Sequence, residues 1–209
     1  MKLGNPLLWF GLVAGAISLA ISFPNSVSGR LAENYSLLTA SAKFFTYFTN
    51  WTNILVVCVY LGAVLSTRNS LALFRTQIVK GAAFASIIMV MIVYHLLLSA
   101  THNPVGIGIF TNIIMHYVAP MVYVAWWFIG GRDGTLVWRD LWIFTIFPVA
   151  YVVFTYSTAP IAGEYPYNFL NIEKNGVTGV APIIGAIVIL ILLLAAIATT
   201  SDRRVSKAA

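Results

Sequence analysis

The stretch GVAPIIGAIVILILLLAAIATT, residues 179–200, carries no charged side chain over its whole length. A bilayer core about 30 Å thick is crossed by about 20 apolar residues in an α-helix, so this segment predicts a membrane span. Five more charge-free stretches have similar length: Pro6–Phe23, Phe44–Ser66, Gly81–Ala100, Phe110–Gly130 and Leu141–Thr158. The reading is an all-α polytopic membrane protein, one domain over residues 1–209 with six transmembrane helices. Composition agrees, with 60% of the 209 residues hydrophobic and 9% charged. Soluble domains carry about 25% charged residues, and disordered chains combine low hydrophobicity with high charge. Both classes are excluded. The first stretch could pass for a signal peptide, but it is long for one and has only Lys2 before it. It is read as a helix.

The charges divide by loop. With a cytoplasmic N-terminus, the inner side holds Lys2, Arg68, Arg75, Lys80, Arg132, Arg139, Arg203, Arg204 and Lys207, and the outer side Arg30, Lys43 and Lys174. Cytoplasmic loops carry the Lys and Arg excess, so both termini are expected in the cytoplasm. The formal +6 is then a topology signal, and no nucleic-acid partner is expected. The longer outer loops, 24–43 and 159–178, put elaboration on the outer face. Gly11 and Gly15 in the first helix read either as a close-packing motif or as ordinary membrane glycine content. Trp126, Trp127, Trp138 and Trp142 read as an interfacial belt. Cys58 has no basic neighbour in sequence and reads as a packing residue.

Polar side chains inside a bilayer are expensive and turn to the bundle interior. In the second helix Thr46, Thr49, Asn50 and Asn53 stand at i, i+3, i+4 and i+7, one helical face. The third helix carries His95, with Ser99 and His102 following at the same spacing, and the fourth carries Asn112 and His116 at i and i+4. The fifth brings Tyr151, Thr155 and Thr158. Counting helical rise from the outer ends puts Thr46 about 3 Å deep, His95 about 8 Å and His116 about 9 Å. The inner halves read as almost purely apolar, with no carboxylate in any span. Each Thr or Asn taken singly reads as well as interhelical glue. The aligned set facing two histidines at matched depth points to a pocket on the outer side.

A threonine hydroxyl becomes a nucleophile when a base takes its proton, and neutral histidine is the usual base near pH 7. Thr46 and His116 could form such a pair if the second and fourth helices touch, with Asn50, Asn53 or Asn112 orienting the ring or binding an oxyanion. His95 and His116, with His102 or Glu164, could instead ligate haem or metal. Their spacing matches no zinc signature, and the reading is no metal and no cofactor. Glu164-Tyr165-Pro166-Tyr167-Asn168-Phe169-Leu170 reads as an aromatic belt or as a lid over the pocket. A carrier or channel for a small neutral or lipidic solute is the competing reading. It would want polar residues through both halves of the membrane.

Three motifs in order, Lys43-Phe44-Phe45-Thr46, Asn112-x-x-x-His116-x-x-x-Pro120 and Tyr165-Pro166-Tyr167-Asn168-Phe169-Leu170 with Gly176, cover most of the chain. They resemble the androgen-induced membrane protein family, which includes the androgen-dependent regulator of tissue-factor pathway inhibitor. The resemblance implies an intramembrane threonine hydrolase of lipid esters, such as fatty acid esters of hydroxy fatty acids. It implies Thr46 as nucleophile and His116 as catalytic histidine. Thr49 and Asn50 depart from the animal pattern and match the bacterial-type one. The expected substrate is a bilayer lipid. The expected location is the plasma membrane, or the inner membrane of a bacterium. Thr49, Asn50, Asn53, His95, Asn112, Tyr151 and Tyr167 are the expected binding or orienting residues.

Overall fold

A computed structural model describes residues 5–65 and 67–206; Lys2, Ser66 and Lys207 of the sequence reading lie outside the described residues. The protein is an all-α polytopic membrane protein. Among the described residues five helices are long and apolar enough to cross a membrane, or six if one bent pair counts as a single span.

Helix α1, Pro6–Ala32, starts on Asn5, whose side chain accepts the Leu7 N–H at 3.0 Å. Pro6 fits the first turn because its missing N–H would have no partner there. The helix runs through Pro24 to Ala32 instead of ending at Phe23. Apolarity stops at the membrane edge, but backbone hydrogen bonding does not, and Arg30 bonds back to Ser26 one turn below. Most of the expected first outer loop is therefore helical, continuing as α2, Leu37–Phe44.

The second stretch is not one helix. Helix α3, Phe48–Val64, is bent by 72° from α2 across a break at residues 45–47. Helix α4, Gln77–Leu98, and helix α5, Ile107–Gly131, are continuous spans. Each contains π-helical turns, at Tyr94–Leu98 in α4 and at Ile114–Val118 and Trp127–Gly131 in α5. The fifth stretch divides into a 3-10 segment, Trp138–Thr145, and α6, Ile146–Ala162. Helix α7, Ile172–Ser206, is broken at Gly176, whose φ of 65° favours glycine.

Helix α3 packs on α1 and α4, and α4, which also packs on α5 and α7, is the most widely packed helix. Asn53 Nδ2, which donates to Met115 O at 3.3 Å, joins the second span to the fourth, the condition for a threonine–histidine pair. Gly11 and Gly15 turn out to be packing residues. A Cβ on Gly11 would lie 2.6 Å from the Tyr60 ring, and one on Gly15 2.9 Å from Val57. Gly11→Ala should cost about 1–3 kcal/mol through overpacking, read as a lower thermal midpoint in detergent. Trp126 and Trp127 depart from the belt reading: both are fully buried, whereas Trp138 and Trp142 are exposed. Trp127 reaches inward because its indole N–H donates to Ser201 at 3.0 Å.

Asn5 lies against Gly130, and Arg132 donates to the Ser201 carbonyl, so both ends of the described chain share one end of the bundle. That end corrects the expectation of purely apolar inner halves. Helix α7 extends past Thr200, and its buried Asp202 accepts from Gln77 Nε2 at 2.6 Å. The carboxylate also accepts the backbone N–H groups of Asp133, Gly134 and Leu136 at 3.1, 3.2 and 2.9 Å. Lys80 completes the cluster through the Gly131 carbonyl and Asp133. One carboxylate thus clamps the 131–137 loop to α4 and α7.

Candidate active site

The break between α2 and α3 shapes the opposite end of the bundle. Inside a bilayer no water satisfies freed carbonyls, and each one left bare costs several kcal/mol. Here four consecutive carbonyls each receive a side-chain donor. Thr46 Oγ1 donates to Lys43 O at 2.8 Å, and Asn50 Nδ2 to Phe44 O at 2.6 Å. Trp51 Nε1 donates to Phe45 O at 2.6 Å, and the Tyr151 hydroxyl to Thr46 O at 2.7 Å. Asn50 and Tyr151, expected to bind or orient substrate, are thus engaged in holding the break. Trp51→Phe removes one donor and should cost about 1–3 kcal/mol, seen as a lower midpoint of thermal unfolding.

The same break corrects the single polar face. Thr46 lies before the first turn of α3, so it does not share the helical face of Thr49 and Asn53. Its hydroxyl is spent on Lys43. The hydroxyl that meets the imidazole is that of Thr49, whose Oγ1 is 3.3 Å from His116 Nε2. His116 Nδ1 lies 3.0 Å from the Asn112 carbonyl. A carbonyl can only accept, so Nδ1 carries the proton in the neutral ring and Nε2 presents its lone pair to Thr49. The structure therefore replaces the Thr46–His116 pair of the sequence reading with Thr49–His116.

Several groups fix the ring. His116 sits within the π-helical turn Ile114–Val118. It stacks on Tyr94, with centroids 3.8 Å apart, and Asn112 Nδ2 holds the Tyr94 hydroxyl at 2.8 Å. Asn53 donates to Thr49 O and, at 3.3 Å, to Met115 O, tying α3 to that turn. Pro120 lacks the N–H that would serve a carbonyl one turn back, which explains why a side chain does so. His95 does not join this group. It is exposed, and its Nδ1 faces the Tyr117 hydroxyl at 3.3 Å.

Thr49 occupies the first turn of α3, where backbone N–H groups have no helical acceptor and the dipole favours negative charge. Tyr167, from the 163–171 segment, is buried beside it. Burial pushes the Tyr167 phenol up to about 12, opposed by its hydrogen-bonding contacts with the Thr49 side chain and with the Thr49 and Phe48 backbone. Thr49 Oγ1 can accept from the phenol while donating to His116. The segment is strapped down. Lys43 Nζ pairs with Glu164 at 2.6 Å and donates to Ala162 O at 3.2 Å, and the Tyr156 hydroxyl holds Leu170 O at 3.0 Å.

Thr49, Tyr94, Tyr151 and Tyr167 line the polar part of a cavity of about 160 Å³. The remaining wall is mainly Val, Leu and Ile from α4, α6 and α7, with Phe48, Phe169 and, from the 3-10 segment, Thr145; no charged side chain is among the described lining residues. The sequence did contain a signal for the shift from Thr46 to Thr49. The dipeptide Phe-Thr is repeated within five residues of this stretch, at Phe45-Thr46 and Phe48-Thr49. Tyr94 and the Lys43–Glu164 strap had no such signal. Comparison of the chain with family models, curated proteins and solved structures finds no match.

Proposed function

We propose that this protein is an intramembrane hydrolase of lipid acyl esters, with Thr49 as nucleophile and His116 as general base. The observation that carries the reading is the Thr49 Oγ1 to His116 Nε2 approach at 3.3 Å, with Nδ1 held by Asn112 O. A resting catalytic hydrogen bond is often this long and tightens with substrate bound. His116 takes the Thr49 proton as Oγ1 attacks the acyl carbonyl. At rest the Phe48 and Thr49 backbone groups meet the Tyr167 hydroxyl; a substrate carbonyl that displaces this hydroxyl would take their N–H groups as donors to its developing oxyanion. The imidazolium then protonates the leaving alkoxide. Water, deprotonated by the same histidine, releases the acid from acyl-threonine. No step calls for a metal or a nucleotide.

The resemblance to threonine hydrolases supports the reaction class, with the nucleophile moved three residues along. The positive-inside pattern puts this end of the bundle toward the outer leaflet of a plasma membrane, or of the inner membrane in a bacterium. The test is labelling of the purified protein by a lipid-like fluorophosphonate, with the adduct mapped by mass spectrometry. An adduct on Thr49 that disappears in His116→Ala is expected. No adduct, or one on Thr46, would sink the assignment.

A further inference from the structure

The cavity has a direction. Its polar part, with Thr49 and Tyr167, lies at the end of the bundle closed by the 163–171 segment. Along α4 it continues from Leu98 to Met89, and along α7 from Ile184 to Ile191. At helical rise these paths are about 13 Å and about 10 Å. They end at Met89, Val90 and Ile191, all buried. The cavity is thus a mainly apolar tube with the Thr49 hydroxyl at one end and a floor deep in the bundle, where the one polar side chain, Thr145, is turned to the Trp142 carbonyl.

It also has a side door. Among the described residues, α6 packs on the 3-10 segment that precedes it and at most loosely on α7. Val149 and Val153 on α6 and Val188 on α7 line the cavity and are also exposed. In a membrane protein that exposure is to lipid tails. A molecule can therefore reach the tube sideways from the bilayer without passing the strapped segment. Apolar cavities take apolar guests and stay dry without them.

The lining limits what can react. Lys43, the nearest buried cation of the strap, is already neutralised by Glu164. A phosphate or carboxylate at the reacting end would be an unpaired ion in a low-dielectric site, which is strongly disfavoured. Resting on the hydrolase reading for the identity of the reacting group, we propose that the substrate is an uncharged, single-chain ester of medium chain length. It enters between α6 and α7, with its carbonyl at Thr49 and its acyl tail against Val90 and Ile191. The floor residues are then the chain-length determinant.

The experiment uses the full chain in lipid nanodiscs and two readouts. The first is photo-crosslinking of the Thr49→Ala protein by fatty acid methyl esters bearing a diazirine at the tail or beside the carbonyl. Tail probes are expected to label Met89, Val90 or Ile191, and carbonyl-side probes Tyr167 or Leu170. The unlabelled methyl ester should compete, and the corresponding free acid, ionised at alkaline pH, should not. Labels scattered over the outward faces of α1 and α7, or equal competition by the carboxylate, would overturn the proposal. The second readout is hydrolysis of p-nitrophenyl esters. Val90→Phe should shift the octanoate-to-butyrate ratio of kcat/KM by about tenfold or more toward butyrate, the scale of shortening an apolar pocket. An unchanged ratio in a folded variant would refute the floor. Loss of the hydrolase reading looks different: no chain length is cleaved, whatever the crosslinks map.

Discussion

Thr49→Ala should abolish ester hydrolysis, lowering kcat by about 10³-fold or more, since it removes the nucleophile outright. His116→Ala should fall by about 10²- to 10⁴-fold, the range for loss of a positioned base. Thr49→Ser keeps the hydroxyl and should keep measurable turnover. The decisive comparison is Thr46→Val. The Thr46 hydroxyl donates to Lys43 O, so its loss should cost about 1 kcal/mol of stability and leave catalysis in place. Steady-state hydrolysis of a medium-chain ester, paired with the thermal midpoint of each variant, reads both effects. If Thr46→Val is inactive while folded, and Thr49→Ala is active, the nucleophile is the other threonine and the dyad drawn here is wrong.

Asp202→Ala should be among the most destabilising single substitutions in the chain. The carboxylate is fully buried and accepts from Gln77 and from three backbone N–H groups of the 131–137 loop. Removing it leaves four donors bare in the interior and takes a negative charge from beside Lys80. Breaking a buried ionic cluster by removing one member costs about 3–5 kcal/mol. Asp202→Asn should also be poorly tolerated, because an amide cannot accept on both of its polar atoms. The half-buried Cys58 offers a reporter: a thiol-reactive dye should label it at a markedly lower temperature in either variant. The site lies at the opposite end of the bundle, so kcat measured well below the new midpoint should change little. A wild-type melting curve for Asp202→Ala would show that the clamp contributes nothing.

Much of the fold was legible because its cause is local. A run of apolar residues long enough for a bilayer declares itself without its neighbours, and all six expected stretches fall on helical segments. The ends of the helices were less legible. Hydropathy reports where the membrane stops, whereas α1 runs on to Ala32 with its hydrogen bonding and α7 is helical through Ser206, the last described residue. That difference hid Asp202, which the apolar pattern left outside the last span. Trp126 and Trp127 were misplaced for a related reason. An indole near a membrane edge reads as an interfacial anchor, and only its neighbours reveal whether it turns inward.

The candidate site divides the same way. Its ingredients stand out in the chain: a Thr/Asn-rich turn and His116 with Asn112 one turn before it as polar groups within expected spans, and the Tyr165–Leu170 segment as an aromatic cluster in a loop. Which threonine meets His116 depends on the break at residues 45–47. That break is held partly by Asn50 and Trp51 from the next turn, and partly by Tyr151, 105 residues away in sequence. Helical periodicity assumes an unbroken backbone, and a donor arriving from another helix is invisible to it. Composition and spacing settled that the chain is a helical membrane protein. Hydrogen bonds to four consecutive carbonyls, three from the break itself and the next turn and one from Tyr151 on another helix, turned Thr46 to the backbone and left Thr49 facing the histidine.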